Sequence, residues 1–361
     1  MKRILILSNH SFMLWQFRRE LIGAMIAQGM EVSVGVPFGE HVEDFREMGC
    51  KMINIPVDRR GINPVRDLSL LRQYLQLLRS MKPDMVITYS IKPNVYAGFC
   101  CRMLKIPYCV NVQGLGTAFQ KPVISAIVTR MYRAACKKAK VVFFENAGNA
   151  EFFRRERIVS ARQQLVLPGA GINLQHYPLA PYPDNDPIRF LYLGRLMKEK
   201  GIDELFSAIK MLYDDCYEVK LDLVGFFEDA YKEQVQELCD LGIARFHGFQ
   251  ADPRPYYAAA DCVVLPSYHE GMSNVLLEAA ATGRPLITSD IPGCREAVEE
   301  EVTGFICQVK DRYALYETMK RMAKLPRQQR LEMGLAGRKR MEAIFDKQQV
   351  VDATMKAIFK A

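Results

Sequence analysis

"DCVVLPSYHEGMSNVLLEAAATGRPLITSD" occupies residues 261–290. DCVVLPS is a short, almost wholly apolar run, as expected of a strand buried on both faces. SNVLLEAAATG has a helix's composition, with Ser273 placed to cap its start and Gly283 to end it. RPLITSD is the next strand. Strand, loop, helix and strand in this order make one unit of a parallel sheet covered by helices. The loop YHEG then falls at a strand's carboxyl end, where ligands of such sheets bind.

The same rhythm runs outward in both directions. Upstream, strands are expected at 3–8, 31–37, 51–57, 84–90, 107–113 and 140–146. A helix through FRRELIGAMIAQG ends near Gly29, and another is expected near 40–48. Leucines at three- and four-residue spacing between Pro64 and Pro83 mark an amphipathic helix. PYPDNDP (181–187) breaks the pattern with three prolines and is expected to be a linker. Strands resume at 188–194, 218–225, 243–249, 261–267, 284–290 and 303–309. The expected architecture is α/β, with two doubly wound, Rossmann-like domains facing a cleft. An N-terminal domain covers 1–170, a linker 171–187 and a C-terminal domain 188–345, and a final helix (346–361) packs back on the first domain. A chain of 361 residues is long enough for two cores.

Composition narrows the class. No CxxC occurs among the ten cysteines, and neither they nor the five histidines have zinc-ligand spacing, so the thiols are expected reduced in a cytoplasmic protein. MKRILILSNHSFM has too short an apolar run for a signal peptide and is expected to be a first strand. No run approaches the ~20 apolar residues of a membrane span. The net charge of +8 is uneven: residues 1–170 carry 25 Lys+Arg against 12 Asp+Glu, the remainder 24 against 29. A basic half suggests a polyanion or an anionic membrane as partner. TRMYRAACKKAK (129–140) and FFRRERIVSAR (152–162) mix cations with apolar residues, and DRRGINPVRD (58–67) adds more charge. Such segments suit peripheral binding to anionic lipid; nucleic acid is not an expected partner.

Two charged clusters carry the chemistry. Glu270 stands over the helix start, and Gly271 allows backbone to approach a ligand. Free N–H groups around residues 271–275 form an oxygen-binding end. Glu278 lies eight positions after Glu270, inside that helix. In LYLGRLMKEKGIDEL (191–205), Arg195 and Lys200 both follow a strand, where two cations suit a diphosphate.

GRLMKEKGIDEL, SYHEGMSNVLLEAAATGRPLIT and DIPGCREAV…TGF together resemble the retaining nucleotide-sugar glycosyltransferases of family 4, which have the GT-B fold. Glu270 and Glu278 match that family's E-x7-E motif. TYSIKPNVYAGFCCRMLKIPYCVNVQGLGTAF (88–119) resembles a subgroup that extends lipid-linked sugars, some of whose members add N-acetylgalactosamine in α-1,3 linkage to an undecaprenyl-diphosphate-linked sugar. The resemblance implies an acceptor-side N-terminal domain, a nucleotide-sugar-binding C-terminal domain and a catalytic set of Arg195, Lys200 and Glu270. The cations would hold the diphosphate and stabilise the departing nucleotide, and Glu270 would orient the sugar ring. Glu278 would accept from ribose hydroxyls. Backbone N–H groups of Met272, Ser273 and Asn274 would meet sugar or phosphate oxygens, and Gly248 would admit the nucleobase. Lys92 joins the substrate-binding set from the 88–119 block.

The chain departs from the family in three places. Ser273 stands where many relatives have proline. SNHSF replaces a glycine-rich loop after the first strand. NVQGLG stands where many relatives have a histidine near the sugar; Asn111, Gln113 and the backbone of Gly114 and Gly116 are candidates to replace it, with His10 as a second candidate. DND (184–186) sits in the expected linker rather than at a strand end, so no metal site and no cofactor is expected. No GxGxxG follows the first strand, which argues against a dinucleotide oxidoreductase. The expected reaction moves a sugar from a UDP-sugar, the N-acetylhexosamine above all, to a polyprenyl-diphosphate-linked glycan at the inner face of the cytoplasmic membrane. The rivals are a nucleotide-sugar epimerase and a non-catalytic sugar-binding module.

Overall fold

The computed structural model describes every residue except 59–62, 116–118, 120–121 and 361, and leaves out the side chains of residues 122 and 123. The chain forms two units: Met1–Ala170 with Lys347–Ala361, and Gly171–Asp346.

The first unit holds a seven-stranded parallel sheet. Its strands are β1 (Arg3–Leu7), β2 (Glu31–Val36), β3 (Lys51–Asn54), β4 (Met85–Tyr89), β5 (Tyr108–Val112), β6 (Val141–Phe144) and β7 (Gln164–Val166). Their order is β3-β2-β1-β4-β5-β6-β7. Ile4 pairs with Met85 and Val110 with Val142. Both sheet faces are covered, one by a core that includes Leu70, Tyr74 and Phe153, the other by one that includes Leu14, Ile22 and Phe45. The helix Pro64–Met81 starts as its sequence demands. Asn63 accepts from the N–H groups of Val65 and Arg66, at 3.0 and 3.2 Å, and Pro64 occupies the first turn.

The second unit holds β8 (Ile188–Leu193), β9 (Val219–Val224), β10 (Ala244–Phe246), β11 (Cys262–Leu265), β12 (Leu286–Ser289) and β13 (Gly304–Cys307). They are ordered β10-β9-β8-β11-β12-β13, again all parallel. β11 stops at Pro266, which has no N–H to give a ladder. β10 stops short of Gly248, whose φ of +69° is left-handed. Each sheet reverses its strand order between the first strand and the fourth, so the crevice there opens at strand carboxyl ends.

Two features differ from the sequence reading. β7 has the polar start and the three-residue length that periodicity does not reveal. Residues 171–187 are no free linker, because they pack on the second unit. Tyr177 and Tyr182 are buried, and the Tyr182 hydroxyl donates to the Asp261 carbonyl at 2.7 Å. Arg284, fully buried, donates to the carbonyls of Ala180 and Pro181 and lies over the Tyr182 ring. Asn185 of the DND triplet donates to the Ala259 carbonyl and to Asp261.

The last helix, Lys347–Phe359, belongs to the first unit and buries Val350, Val351, Met355 and Ile358 in the core with Ile22. Lys347 is buried at its start. Its ammonium donates to the Phe17 carbonyl at 3.3 Å and faces Glu20, Arg18, Arg19 and Glu145. Burial lowers its pKa from 10.5 to about 8. Below that value the charge is present in folded and unfolded chains alike, and the cost of burying it is felt in full. Between the two values the folded chain binds fewer protons, so this residue's contribution to stability rises with pH, by at most about 1.4 kcal/mol per unit. The stability difference between wild type and Lys347→Met, measured by urea unfolding from about pH 7 to about pH 9.5, should therefore move in favour of the wild type. A difference independent of pH would contradict this account.

Candidate functional site

In the second unit, the turns after β8 and β11 meet through glycine. Gly201 has a φ of +71°, and a Cβ there would lie 2.1 Å from the Pro266 carbonyl oxygen. The Tyr268 N–H donates to the Glu199 carbonyl at 2.8 Å. This contact sets Lys200 against the loop that carries Glu270. Lys200 and Glu270 form an ion pair through Nζ and Oε1, with both side chains mostly buried. Ser267 Oγ donates to the same oxygen at 2.8 Å. Arg195, directly after β8 and Gly194, pairs instead with Glu228 at 3.3 Å and is 41% exposed. Tyr192 stands close to both clusters. Its hydroxyl donates to the Arg195 carbonyl at 2.6 Å, and burial together with the Glu270 charge raises its pKa.

The Glu270 loop rests on a second close approach. Gly293 has a φ of +88°, and a Cβ there would meet the Gly271 carbonyl oxygen at 2.3 Å. Ser273 caps the helix Asn274–Ala281, accepting from the Leu276 N–H at 3.4 Å. The Ser273 N–H donates to the Gly293 carbonyl at 2.8 Å, so it is committed to the protein, contrary to the expectation of an open donor. Met272 is buried, which suits a loop anchor; the Asn274 side chain is half-buried at the helix start.

Glu278 is buried. Tyr257 donates to its Oε2 at 2.8 Å, and Tyr177 also hydrogen-bonds it. Burial and the Glu278 charge push both phenols upward in pKa. Neither tyrosine was visible as a partner in the sequence, because they lie 101 and 21 positions before it and come together only in the fold. The Gly248 carbonyl accepts from the Gly225 N–H at 2.9 Å. Beside it stand Phe226 and Phe249, 45% and 64% exposed and edge to face with each other. Two exposed phenylalanines on neighbouring turns, after β9 and β10, are the signal that the sequence reading passed over.

The remaining expected residues lie in the first unit. His10 precedes the helix Ser11–Ala27, its N–H donating to Ser8 Oγ at 3.4 Å and its ring near Phe12. Asn111 is buried in β5, and its amide donates to the Thr88 carbonyl of β4 at 3.1 Å. That bond ties two strands together and corrects the expectation that its amide is offered to a ligand. Gln113 reaches Met13 Sδ at 3.1 Å and also bonds Glu145, a carboxylate whose pKa is raised by burial and opposed by Arg18. Gly114 follows it in the same loop, and Gly116 lies outside the described residues. Lys92 pairs with Asp67 at 2.7 Å. Among the described residues no group of three or more His, Cys, Asp or Glu is placed to hold a metal.

Against known proteins, residues 187–324 match the family "Glycosyl transferases group 1", and residues 14–170 match "Glycosyl transferase 4-like domain". The chain belongs to these glycosyltransferases. It is 27% identical to the N,N'-diacetylbacillosaminyl-diphospho-undecaprenol alpha-1,3-N-acetylgalactosaminyltransferase of Campylobacter jejuni, over 95% of this chain and 94% of that one. It is 24% identical to the UDP-Gal:alpha-D-GlcNAc-diphosphoundecaprenol alpha-1,3-galactosyltransferase of Escherichia coli, over 74% of this chain and 73% of that one. Anabaena HepE, solved with UDP, has a TM-score of 0.80 at 18% identity over 100% of both chains. The sucrose-phosphate synthase of Thermosynechococcus elongatus has a TM-score of 0.76 at 20% identity, over 99% of this chain and 98% of that one. The fold is thus that of the GT-B enzymes, as the motifs implied.

Gly293→Ala tests the loop geometry. The left-handed backbone and the overlap with Gly271 should lower stability by about 1–3 kcal/mol in denaturant unfolding. An unchanged midpoint and slope would show that the Glu270 loop yields without cost.

Proposed function

We propose that this glycosyltransferase moves an N-acetylhexosamine, with retention of configuration, from a UDP-sugar to a polyprenyl-diphosphate-linked sugar in the assembly of a surface glycan. The observation that carries the reading is Lys200 paired with Glu270, whose same oxygen accepts from Ser267, with Arg195 following the same strand as Lys200 and Glu270 following its neighbour in the sheet. A lysine ammonium has three N–H donors, so Lys200 can keep Glu270 and still meet a phosphate oxygen. Both protein bonds to Glu270 fall on Oε1; Oε2 is the oxygen this reading gives to the sugar hydroxyls. Arg195 shares its guanidinium between Glu228 and the diphosphate. In this reading the positions of Phe226 and Phe249 suit stacking on a nucleobase, and Glu278, fixed by two tyrosines, serves the ribose.

Breaking the anomeric bond leaves a nucleoside diphosphate anion. Cations fixed before the reaction stabilise that charge without reorganising. They take the place of a metal, and the reading requires none. The acceptor is supported by the two relatives named for diphosphoundecaprenol sugars, one of them aligned along nearly the whole chain. Incubation with a panel of nucleotide sugars and a polyprenyl-diphosphate sugar tests the reaction. Arg195→Ala and Lys200→Ala should each slow transfer by about 2–4 kcal/mol of barrier with the fold intact. Near-normal turnover in both variants would remove the diphosphate assignment.

A lipid-linked acceptor is met at a membrane surface, and the first unit supports peripheral binding there. On the helix Pro122–Cys136, Ile127 is 52% exposed, and Arg130 and Arg133 are exposed with it. Arg133 donates to the carbonyls of Glu156 and Arg157, which joins this helix to the basic segment 152–162. No helix among the described residues is long and apolar enough to cross a membrane. Each cation near anionic lipid adds on the order of 1 kcal/mol, weakened by salt. Co-sedimentation should therefore require anionic vesicles and decline with salt; equal retention on neutral vesicles, or none on either, would refute the electrostatic account.

A further inference from the structure

The helix Ile202–Asp214 begins just after Lys200, and its N-cap, Gly201, has no side chain with which to cap it. Its first turn carries two acids instead, Asp203 and Glu204. Acids there suit the helix dipole wherever they point. Here each also accepts from a phenol, and the two phenols come from different loops. The Tyr231 hydroxyl, past β9, donates to Asp203 Oδ1 at 2.8 Å. The Tyr268 hydroxyl, past β11, lies 2.7 Å from both carboxylate oxygens of Glu204. β9 and β11 are the two neighbours of β8 in the sheet. The helix start is therefore held from both flanks of the strand that leads into it.

Both tyrosines are buried. Burial first, and then the bonded carboxylate, raises the pKa of each phenol, so each remains a donor. A hydroxyl donating to a carboxylate makes a charge-assisted bond, about twice as strong as a neutral one. The Tyr268 bond is the one that reaches the candidate donor site. Its N–H holds the Glu199 carbonyl and its hydroxyl holds Glu204, so one residue grips the chain on both sides of Lys200. Glu270 follows Tyr268 by two positions in the same loop. The ion pair of Lys200 with Glu270 thus joins two segments that Tyr268 already spans. Lys310 Nζ lies 4.9 Å from the centre of the Tyr268 ring, a further contact that keeps the ring in place.

We propose that Tyr268, through its bond to Glu204, is the positioning residue that fixes the Lys200 ammonium against Glu270 in the geometry a departing diphosphate requires. The inference rests on the proposed reaction and adds what holds its cation in place. A cation stabilises developing charge without reorganising only if it is already fixed. Slack at Lys200 is therefore felt in kcat, whereas donor binding is shared with Arg195 and Glu278 in the proposed reading.

Steady-state kinetics of the full chain with UDP-sugar and polyprenyl-diphosphate sugar test it, with rates expressed per UDP-binding site so that only folded enzyme is counted. Tyr268→Phe keeps the ring and removes the donor. Its kcat should fall roughly tenfold while the donor KM stays within about threefold, as for a misplaced group rather than a lost binding contact. Glu204→Ala should behave alike, and it decides the matter if Tyr268→Phe does not fold. Glu204→Gln keeps an acceptor oxygen and should recover part of the rate lost in Glu204→Ala. In a Lys200→Ala background, Tyr268→Phe should cost less than about twofold, because residues that act through one another are not additive. A wild-type kcat in Tyr268→Phe, or an equal loss with and without Lys200, would overturn the positioning role and leave the reaction standing. Near-normal turnover of Lys200→Ala would remove the diphosphate reading and this inference with it.

Discussion

The approach of Gly201 to the Pro266 carbonyl is the constraint on which the candidate donor site depends. A side chain at position 201 would hold the turn after β8 away from the loop after β11. Lys200 could then no longer share Glu270 with Ser267. The same device recurs at Gly293 against Gly271 and at Gly225 against Gly194, where a Cβ would fall 1.8 Å from the carbonyl oxygen. Charged side chains therefore converge because uncharged backbone is packed without side chains beneath them. The electrostatics of the site rest on packing, and the packing rests on three residues with no Cβ.

Much of the fold was legible because parallel strands buried on both faces are continuous apolar runs. RILIL, MVITY, VVFF and CVVL are too short for helices and rich in β-branched or aromatic residues, which favours strands. β7 escaped because it is short and begins with glutamine. Residues 171–187 misled for a physical reason: prolines and acids signal exposure, yet Tyr177 and Tyr182 bury their rings, and the prolines merely shape a strap bound by Arg284. The charged residues of the site were legible by position, since each follows a strand. Their partners were not. Glu228 for Arg195, Tyr177 for Glu278 and Asp67 for Lys92 are pairings between segments distant in sequence, which a pattern of nearest neighbours does not encode.

The charge asymmetry acquires a structural meaning from this. The basic first unit places its cations on exposed helices and loops, whereas the cations proposed for the donor are few and held by carboxylates. In the proposed reading one set meets an extended anionic surface, the other a single diphosphate. A solvated cation and a clasped cation differ in what salt does to them: the first is screened, the second much less so.

The chain passes between its units twice, at 170–171 and at 346–347, and the two strands of that passage are joined where the Ile172 N–H donates to the Phe345 carbonyl at 2.7 Å. The second unit is consequently one uninterrupted stretch of sequence, while the first is built from both ends of the chain. A gene fragment that stops at residue 170 would leave bare the apolar patch covered by Val350, Val351, Met355 and Ile358. The fragment 171–346 has no such debt, so recombination between relatives can exchange it as a single cassette, whereas the first unit is inherited in two pieces that must match.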